Sequence, residues 1–227
     1  MAAGEGTRLR PLTERWAKPV LPIDGRPVLA VLLRELAAAG CEQVWLVSGH
    51  LAEQVERLAG DGSAFGVCVR HVRQPEVLGS SDVVQRALDD GAELPLLVSA
   101  ADTVYTGGDI GHFARAFETA DAAGAVAVRT DPGPGPERPP ILRSGERVLR
   151  MRAQPGGGSW APAPLWGIRA AVAEHLCRDR PPHELANAFQ AAIDAGNTVM
   201  AVEIGKTRDL TYPLDLVEEN FPYLRAL

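Results

Sequence analysis

The run Gln43-Val44-Trp45-Leu46-Val47-Ser48 decides how this chain is read. Four consecutive apolar residues between polar ones are too few for a globular helix and read as a buried strand. Before it, the Ala/Leu-rich stretch Val28 to Ala39 ends at Gly40, the residue type that closes helices because it tolerates positive φ. After it, Leu51 to Leu58 reads as a second helix and Val67 to Val72 as a second strand. The alternation continues through a helix over Asp82 to Leu88 and a buried strand over Leu94 to Ala100. Strand–helix–strand units of this length imply parallel crossovers. The expected class is therefore α/β, a Rossmann-like, mostly parallel sheet flanked by helices.

Downstream the pattern loosens. A helix over Ile110 to Ala123 precedes a strand over Ala125 to Arg129, and short strands are expected at Ile141 to Arg143, Val148 to Arg152 and Leu165 to Ile168. Helices His183 to Ala195 and Leu214 to Leu224 flank a strand at Thr198 to Ile204. Two stretches dense in proline and glycine, Asp131 to Pro140 and Pro155 to Ser159, read as loops. At 227 residues the chain suffices for one domain with a sizeable core, and no internal repeat divides it.

Charge and composition exclude several functions. A net charge of -6 gives no basic face for sequence-independent nucleic-acid binding. No apolar run approaches a membrane span, and the N-terminus lacks a charged-then-apolar leader, so the expected location is the cytoplasm. Cys41, Cys68 and Cys177 are odd in number and far apart, which fits neither a disulfide framework nor a metal knuckle. Only Lys18 and Lys206 are lysines among the 23 basic residues, so each lysine invites the question of what it does.

Working back toward the N-terminus, the loop Ala3-Gly4-Glu5-Gly6-Thr7-Arg8-Leu9-Arg10-Pro11 carries the chemistry. Glycines let backbone approach a ligand, and successive N–H groups in such a turn form a concavity for phosphate oxygens. Arg8 offers a planar fork and Lys18 a point charge, which together suit charge developing on a leaving pyrophosphate. The plainer alternative is a glycine turn with solvated arginines. No Gly-Lys-Ser/Thr closes the loop, so it is not a Walker A motif.

Ala2-Ala3-Gly4-Glu5-Gly6-Thr7-Arg8-Leu9-Arg10-Pro11-Leu12-Thr13, followed by Lys18-Pro19-Val20-Leu21-Pro22, resembles the signature of the sugar-1-phosphate nucleotidyltransferases. The resemblance implies a nucleotide-binding half over 1–109 and a smaller sugar-binding half with a C-terminal metal-ligand segment over 110–227. It implies nucleotide contacts from Ala3, Gly4, Glu5, Gly6, Thr7 and Arg8, with Arg8, Lys18 and Asp102 as catalytic residues. Gln74 and Gly79-Ser80 stand where the family reads the base, and a glutamine can pair with a base edge because it carries donor and acceptor. Otherwise Gln74 is an ordinary loop residue. Asp102 follows an apolar strand, where open α/β sheets place ligand-binding groups, and resembles the family's metal-binding aspartate. A strand-end turn or helix cap is its alternative role.

The run from Arg208-Asp209 to Glu219-Asn220 resembles the family's C-terminal signature. It implies Asp209 as a second ligand for Mg²⁺ and Asp215 as a structural acid, with a salt bridge to arginine as the alternative for Asp209. The implied partners are a nucleoside triphosphate and a sugar-1-phosphate, without nucleic acid or membrane, and homo-oligomerisation is left open. Three departures mark the chain. Ala101 replaces the glycine before the aspartate, and a first β-strand is expected before Met1. Ala153-Gln154-Pro155 stands where the family carries Glu-Lys-Pro. Arg150 or Arg152 is the candidate for the missing charge, while Trp160, Trp166 and Gly167 are candidates to line the sugar pocket or to belong to the core. A catalytically weak nucleotide- or sugar-binding regulatory subunit is the rival reading.

Overall fold

The computed structural model describes residues 1–130, 139–153, 160–178 and 180–221. The loop read at Asp131 to Pro140 lies mostly outside these residues, as do Gln154, the glycine run to Ser159 and the end of the helix read to Leu224. In chain order the strands are β1 (Pro22–Ile23), β2 (Arg26–Pro27), β3 (Gln43–Ser48), β4 (Cys68–Arg73), β5 (Leu96–Ser99) and β6 (Thr103–Val104). They continue with β7 (Gly124–Arg129), β8 (Leu142–Ser144), β9 (Arg147–Arg150), β10 (Ala161–Ile168), β11 (Val199–Glu203) and β12 (Arg208–Asp209). The helices are α1 (Val28–Ala38), α2 (Ala52–Ala59), α3 (Ser80–Asp89), α4 (Asp109–Thr119), α5 (Ala170–Ala173), α6 (Leu185–Asp194) and α7 (Pro213–Asn220). The protein is a mixed α/β structure. Among the described residues, no helix is long and apolar enough to cross a membrane.

The chain forms two compact units. The first comprises Met1–Val77, Ala100–Tyr105 and the chain from Arg208 onward. Its α1 buries Leu29, Leu32, Leu33 and Leu36, one stripe at helical spacing. Helix α2 buries Ala52, Val55 and Ala59 in the same way and is the crossover that makes β3 and β4 parallel, in register from Gln43↔Cys68 to Ser48↔Arg73. Leu9, Leu21, Ile23, Val28 and Leu210 form a buried cluster, so segments from both ends of the chain share one core. The two residues before the glycine loop are extended: Ala2 bridges Ser48 in parallel, its N–H donating to the Val47 carbonyl at 2.8 Å, while Ala101 N–H donates to the Met1 carbonyl at 2.8 Å.

The second unit comprises Leu78–Ser99 and Thr106–Thr207. Its six-stranded sheet runs β5-β10-β7-β11-β9-β8. Pairing is parallel between β7 and β11 and antiparallel at β10–β5, β10–β7, β11–β9 and β8–β9. Parallel neighbours need a helical crossover, and β7 reaches β11 only after 69 residues that include α5 and α6; β8 and β9 join through a tight turn and so run antiparallel. All six residues of β7 are buried, as expected for a strand covered on both faces. A Cβ on Gly167 of β10 would meet Phe117 of α4, whereas one on Gly124 of β7 would meet Phe189 of α6. Ile168 is the partner of Gly124, and Gly167 points to the opposite face from Ile168, so α4 and α6 cover opposite faces.

Candidate active site

The loop expected to hold phosphate has the backbone that its glycines permit. Gly6 is left-handed (φ 62, ψ 40), and a Cβ there would lie 2.9 Å from the Thr13 methyl. The Gly6 carbonyl accepts from Leu9 N–H at 2.9 Å and from the Thr13 hydroxyl at 2.9 Å, closing the loop on itself. Gly4, Glu5, Thr7 and Arg8 are exposed, and nothing occupies the space a Cβ on Gly4 would enter. Backbone and guanidinium are thus presented outward, while Ala3 and Leu9 anchor the loop in the interior. Arg10 is turned aside by Glu5 at 3.0 Å.

Lys18 begins a short 3-10 turn, Lys18–Val20, and its ammonium is ion-paired with Asp102. Both side chains are partly buried, where an ion pair is screened less than at an open surface. Asp102 directly precedes β6, whose Thr103 pairs antiparallel with Asp209 of β12. One two-residue ladder therefore sets the backbone of Asp209 beside the residue that follows Asp102, although the two aspartates are separated by about half the sequence. Asp209 accepts from the Thr211 hydroxyl at 3.1 Å. Arg208, the neighbour that offered Asp209 its alternative role, directs its guanidinium to Asp24 and Glu219, each at 2.7 Å. Asp215 takes the N–H groups of Thr211 (2.6 Å) and Tyr212 (2.8 Å) and caps α7, a structural role.

No group of three or more metal-ligating side chains occurs among the described residues. A pair of carboxylates is nevertheless the donor set that Mg²⁺ takes when substrate phosphates and water complete its octahedron, so Asp102 and Asp209 fit that ion.

Gln74 follows β4 directly and is buried at 2 % exposure, its N–H donating to the Ser48 carbonyl at 2.8 Å. Beside it is Gly49, which the sequence reading passed over. A Cβ on Gly49 would lie 2.8 Å from both the Ala3 and the Gln74 carbonyl oxygens, so only glycine lets these two segments close at the C-terminal ends of β3 and β4. His50 and Gln54 were also missed; they hydrogen-bond the Thr13 to Ala17 segment. The signal that could have found them is position, since residues just past a parallel strand face the ligand crevice of such sheets.

The remaining candidates lie in the second unit. Gly79 (φ 106) packs so tightly on His183 that a Cβ would approach its backbone to 2.5 Å. The Ser80 hydroxyl donates to Glu184 at 2.6 Å and accepts from Leu185 N–H at 2.9 Å, tying the start of α3 to the start of α6. Trp166 is half-buried in β10, between Val98 and Val126. Gly167 lies beneath the Phe117 ring. Arg150 and Arg152 are exposed, and Arg143 stacks on Trp160 at 4.0 Å.

Comparison with known proteins matches a family model described as nucleotidyl transferase to residues 1–138. The chain is 30% identical over 231 residues to a glucose-1-phosphate thymidylyltransferase of Streptomyces griseus, covering 97% of this chain and 64% of the relative. A glucose-1-phosphate thymidylyltransferase of Streptomyces antibioticus is 29% identical over 238 residues, with 100% and 66% covered. The chain thus spans slightly under two thirds of the length of these relatives. In fold it is similar to the inositol-1-phosphate CTP transferase from T. maritima, with a TM-score of 0.80, 18% identity, and coverage of 94% of this chain and 88% of that one.

Proposed function

This chain belongs to the nucleotidyl transferase family, and on that premise we propose that it transfers a nucleotidyl group from a nucleoside triphosphate to a sugar-1-phosphate, releasing pyrophosphate. The observation that carries the reading is the Lys18–Asp102 ion pair, which adjoins the ladder where Thr103 pairs with Asp209. A fold that needed only stability would gain little from a partly exposed ion pair placed beside an open glycine loop.

In this reading the sugar phosphate oxygen attacks the α-phosphorus, and the bond from that phosphorus to the β-phosphate bridge oxygen breaks. The attacking phosphate is already ionised at neutral pH, so no general base is required. The loop from Ala3 to Arg8 holds the triphosphate through backbone N–H groups, and the Arg8 fork and Lys18 ammonium stabilise charge as it moves onto pyrophosphate. Asp102 and Asp209 would hold Mg²⁺, which supplies charge neutralisation and orientation when bound. Gln74, Gly79 and Ser80 remain the candidates for the base. Trp166 and Gly167 remain those for the sugar, within the proposed halves 1–109 and 110–227.

The names of the two Streptomyces relatives make dTTP and glucose-1-phosphate the first pair to try. The test is pyrophosphate release with Mg²⁺ over the common nucleoside triphosphates and a panel of sugar-1-phosphates. Release that requires one base and one sugar supports the enzyme. Lys18→Ala and Asp102→Ala should each lower turnover by about 10²–10³-fold, the usual loss for removing one transition-state charge contact. Undiminished turnover in either variant removes that residue from the mechanism. Nucleotide binding without turnover across the panel would favour the regulatory-subunit reading.

A further inference from the structure

We infer that Gln54 is a positioning residue for Lys18, acting through the backbone of the three residues that precede it. The inference deepens the proposed function and rests on it for its kinetic consequence.

Helix α2 follows β3 after Gly49, His50 and Leu51, with Leu51 in the left-handed region (φ 50) turning the chain onto the helix. Its first turns face the segment leading to Lys18. The Gln54 side-chain N–H donates to the Arg15 carbonyl at 2.7 Å, and its carbonyl oxygen accepts from Ala17 N–H at 2.9 Å. One amide therefore satisfies two backbone groups of opposite kind two residues apart, as a strand partner would. An amide placed the other way round could satisfy neither, so the contacts fix its orientation. Ala17 is buried and extended (φ -60, ψ 135), and Lys18 follows it directly into the 3-10 turn. One turn back, His50 Nε2 donates to the Thr13 carbonyl at 2.7 Å, and Thr13 in turn holds the Gly6 carbonyl.

Between these two anchors the N–H groups of Glu14, Arg15 and Trp16 donate back to the Pro11 and Leu12 carbonyls in a 3-10 turn, and the Arg15 carbonyl and Ala17 N–H, which lead out of that turn, are taken by Gln54. Arg15 and Trp16 are exposed, so the route of the chain into Lys18 is set by hydrogen bonds more than by side-chain burial. A lysine has four rotatable side-chain bonds, and its ammonium meets Asp102 reproducibly only if its Cα is held. Gln54 touches neither substrate nor Asp102 in this account. It sets where the Lys18 backbone starts.

Because Lys18 and Lys206 are the only lysines, protein labelled with ¹³C at lysine Cε gives two side-chain signals, assigned with Lys206→Arg. In the unaltered chain, Lys18 should show inequivalent ε-protons and restricted motion on the ps–ns timescale. Gln54→Leu, close in size but without either hydrogen bond, should collapse that inequivalence and leave Lys206 unchanged. Gln54→Glu keeps the acceptor for Ala17 and should give an intermediate signal. An unchanged Lys18 signal in Gln54→Leu would overturn the inference whatever the enzyme does, and a far-UV circular dichroism spectrum and cooperative urea transition like those of the unaltered chain show that the variant is folded.

The kinetic arm is a double-mutant cycle. Gln54→Leu alone should lower kcat by about 10–10²-fold, in the range for misplacing a reacting group by roughly 1 Å. In the Lys18→Ala background it should cost less than about 2-fold, because its only route to the reaction is already lost. A full additional loss there would show that Gln54 acts independently of Lys18. If Lys18→Ala itself keeps full turnover, the proposed function of Lys18 has failed, and the lysine signals still decide whether Gln54 positions it.

Discussion

Gly167→Ala places a methyl group where the Phe117 ring now is. An ideal Cβ at this position lies 2.5 Å from Cδ1 and 2.7 Å from both Cε1 and Cγ of that ring. Ordinary contact begins near 3.4 Å, so the ring must withdraw by about 0.9 Å. It has little freedom to do so. Phe117 is 3 % exposed, and the Arg169 guanidinium covers its face at 4.4 Å. That guanidinium is held in turn by the carbonyls of Ala120 at 2.8 Å and of Phe117 itself at 2.9 Å. Moving the ring therefore displaces a hydrogen-bonded arginine or separates α4 from the sheet. Overpacking of this kind costs about 1–3 kcal/mol. With the ring pinned, we expect about 2 kcal/mol, which is about 4–8 °C in Tm for a chain of this length.

Urea denaturation of Gly167→Ala, Phe117→Leu and the double variant measures it. The smaller side chain should accept the methyl group, so the double variant should be at least ~1 kcal/mol more stable than the sum of the single losses predicts. Additive losses, or a Gly167→Ala protein as stable as the unaltered one, would refute the argument that Gly167 is glycine in order to admit Phe117.

Asp215→Ala removes the cap of α7 and strands two N–H groups, and should cost about 1 kcal/mol in thermal or chemical denaturation. Ser80→Ala leaves Leu185 N–H without its acceptor, and about 1–2 kcal/mol of stability should go with it, readable in the same assay. Gly6→Ala meets both a left-handed φ and the Thr13 methyl, and should weaken triphosphate binding in calorimetry as well as cost about 1–2 kcal/mol of stability. Arg73 hydrogen-bonds Glu56 through two nitrogens, each at 2.7 Å, and holds its carboxyl below the usual value of 4.5. A depressed acid contributes its stability above the unfolded value and loses it as pH falls through the folded one. Melting curves of Arg73→Gln should therefore lie below those of the unaltered protein above pH 4.5, with the two converging as the acid range is entered. The gap should be small because the pair is exposed and screened by solvent.

Much of the fold was legible because the apolar runs are local signals. The strand at Gln43–Ser48 was read to the residue, and α1, β4, β5, β7 and β11 to within one or two residues at each end, since short apolar stretches bounded by polar residues, glycine or proline leave little choice. Helix α4 was read four residues too long, because Ala120 to Ala123 has helical composition while Ala120 is extended (ψ 143) in the structure. The glycine loop was equally legible: Gly6 has to accept φ 62, and that demand is written in the residue type. Pairing was not. Nothing in Ala161–Ile168 says that β10 will enter antiparallel between β5 and β7, because the choice depends on which edges remain open once the crossover helices have packed.

The candidate site divides along the same line. Sequence by itself determined which groups are present: a glycine turn, an arginine fork, a rare lysine and carboxylates at the ends of apolar runs. Tertiary structure decided their associations. It set Lys18 on Asp102, placed Asp209 opposite Thr103, engaged the Ser80 hydroxyl with Glu184 and turned Gly167 toward Phe117. Residue type is a local property of the chain. The partner of a polar or packed side chain is fixed only when segments remote in sequence have been brought within contact distance by burial of a common core.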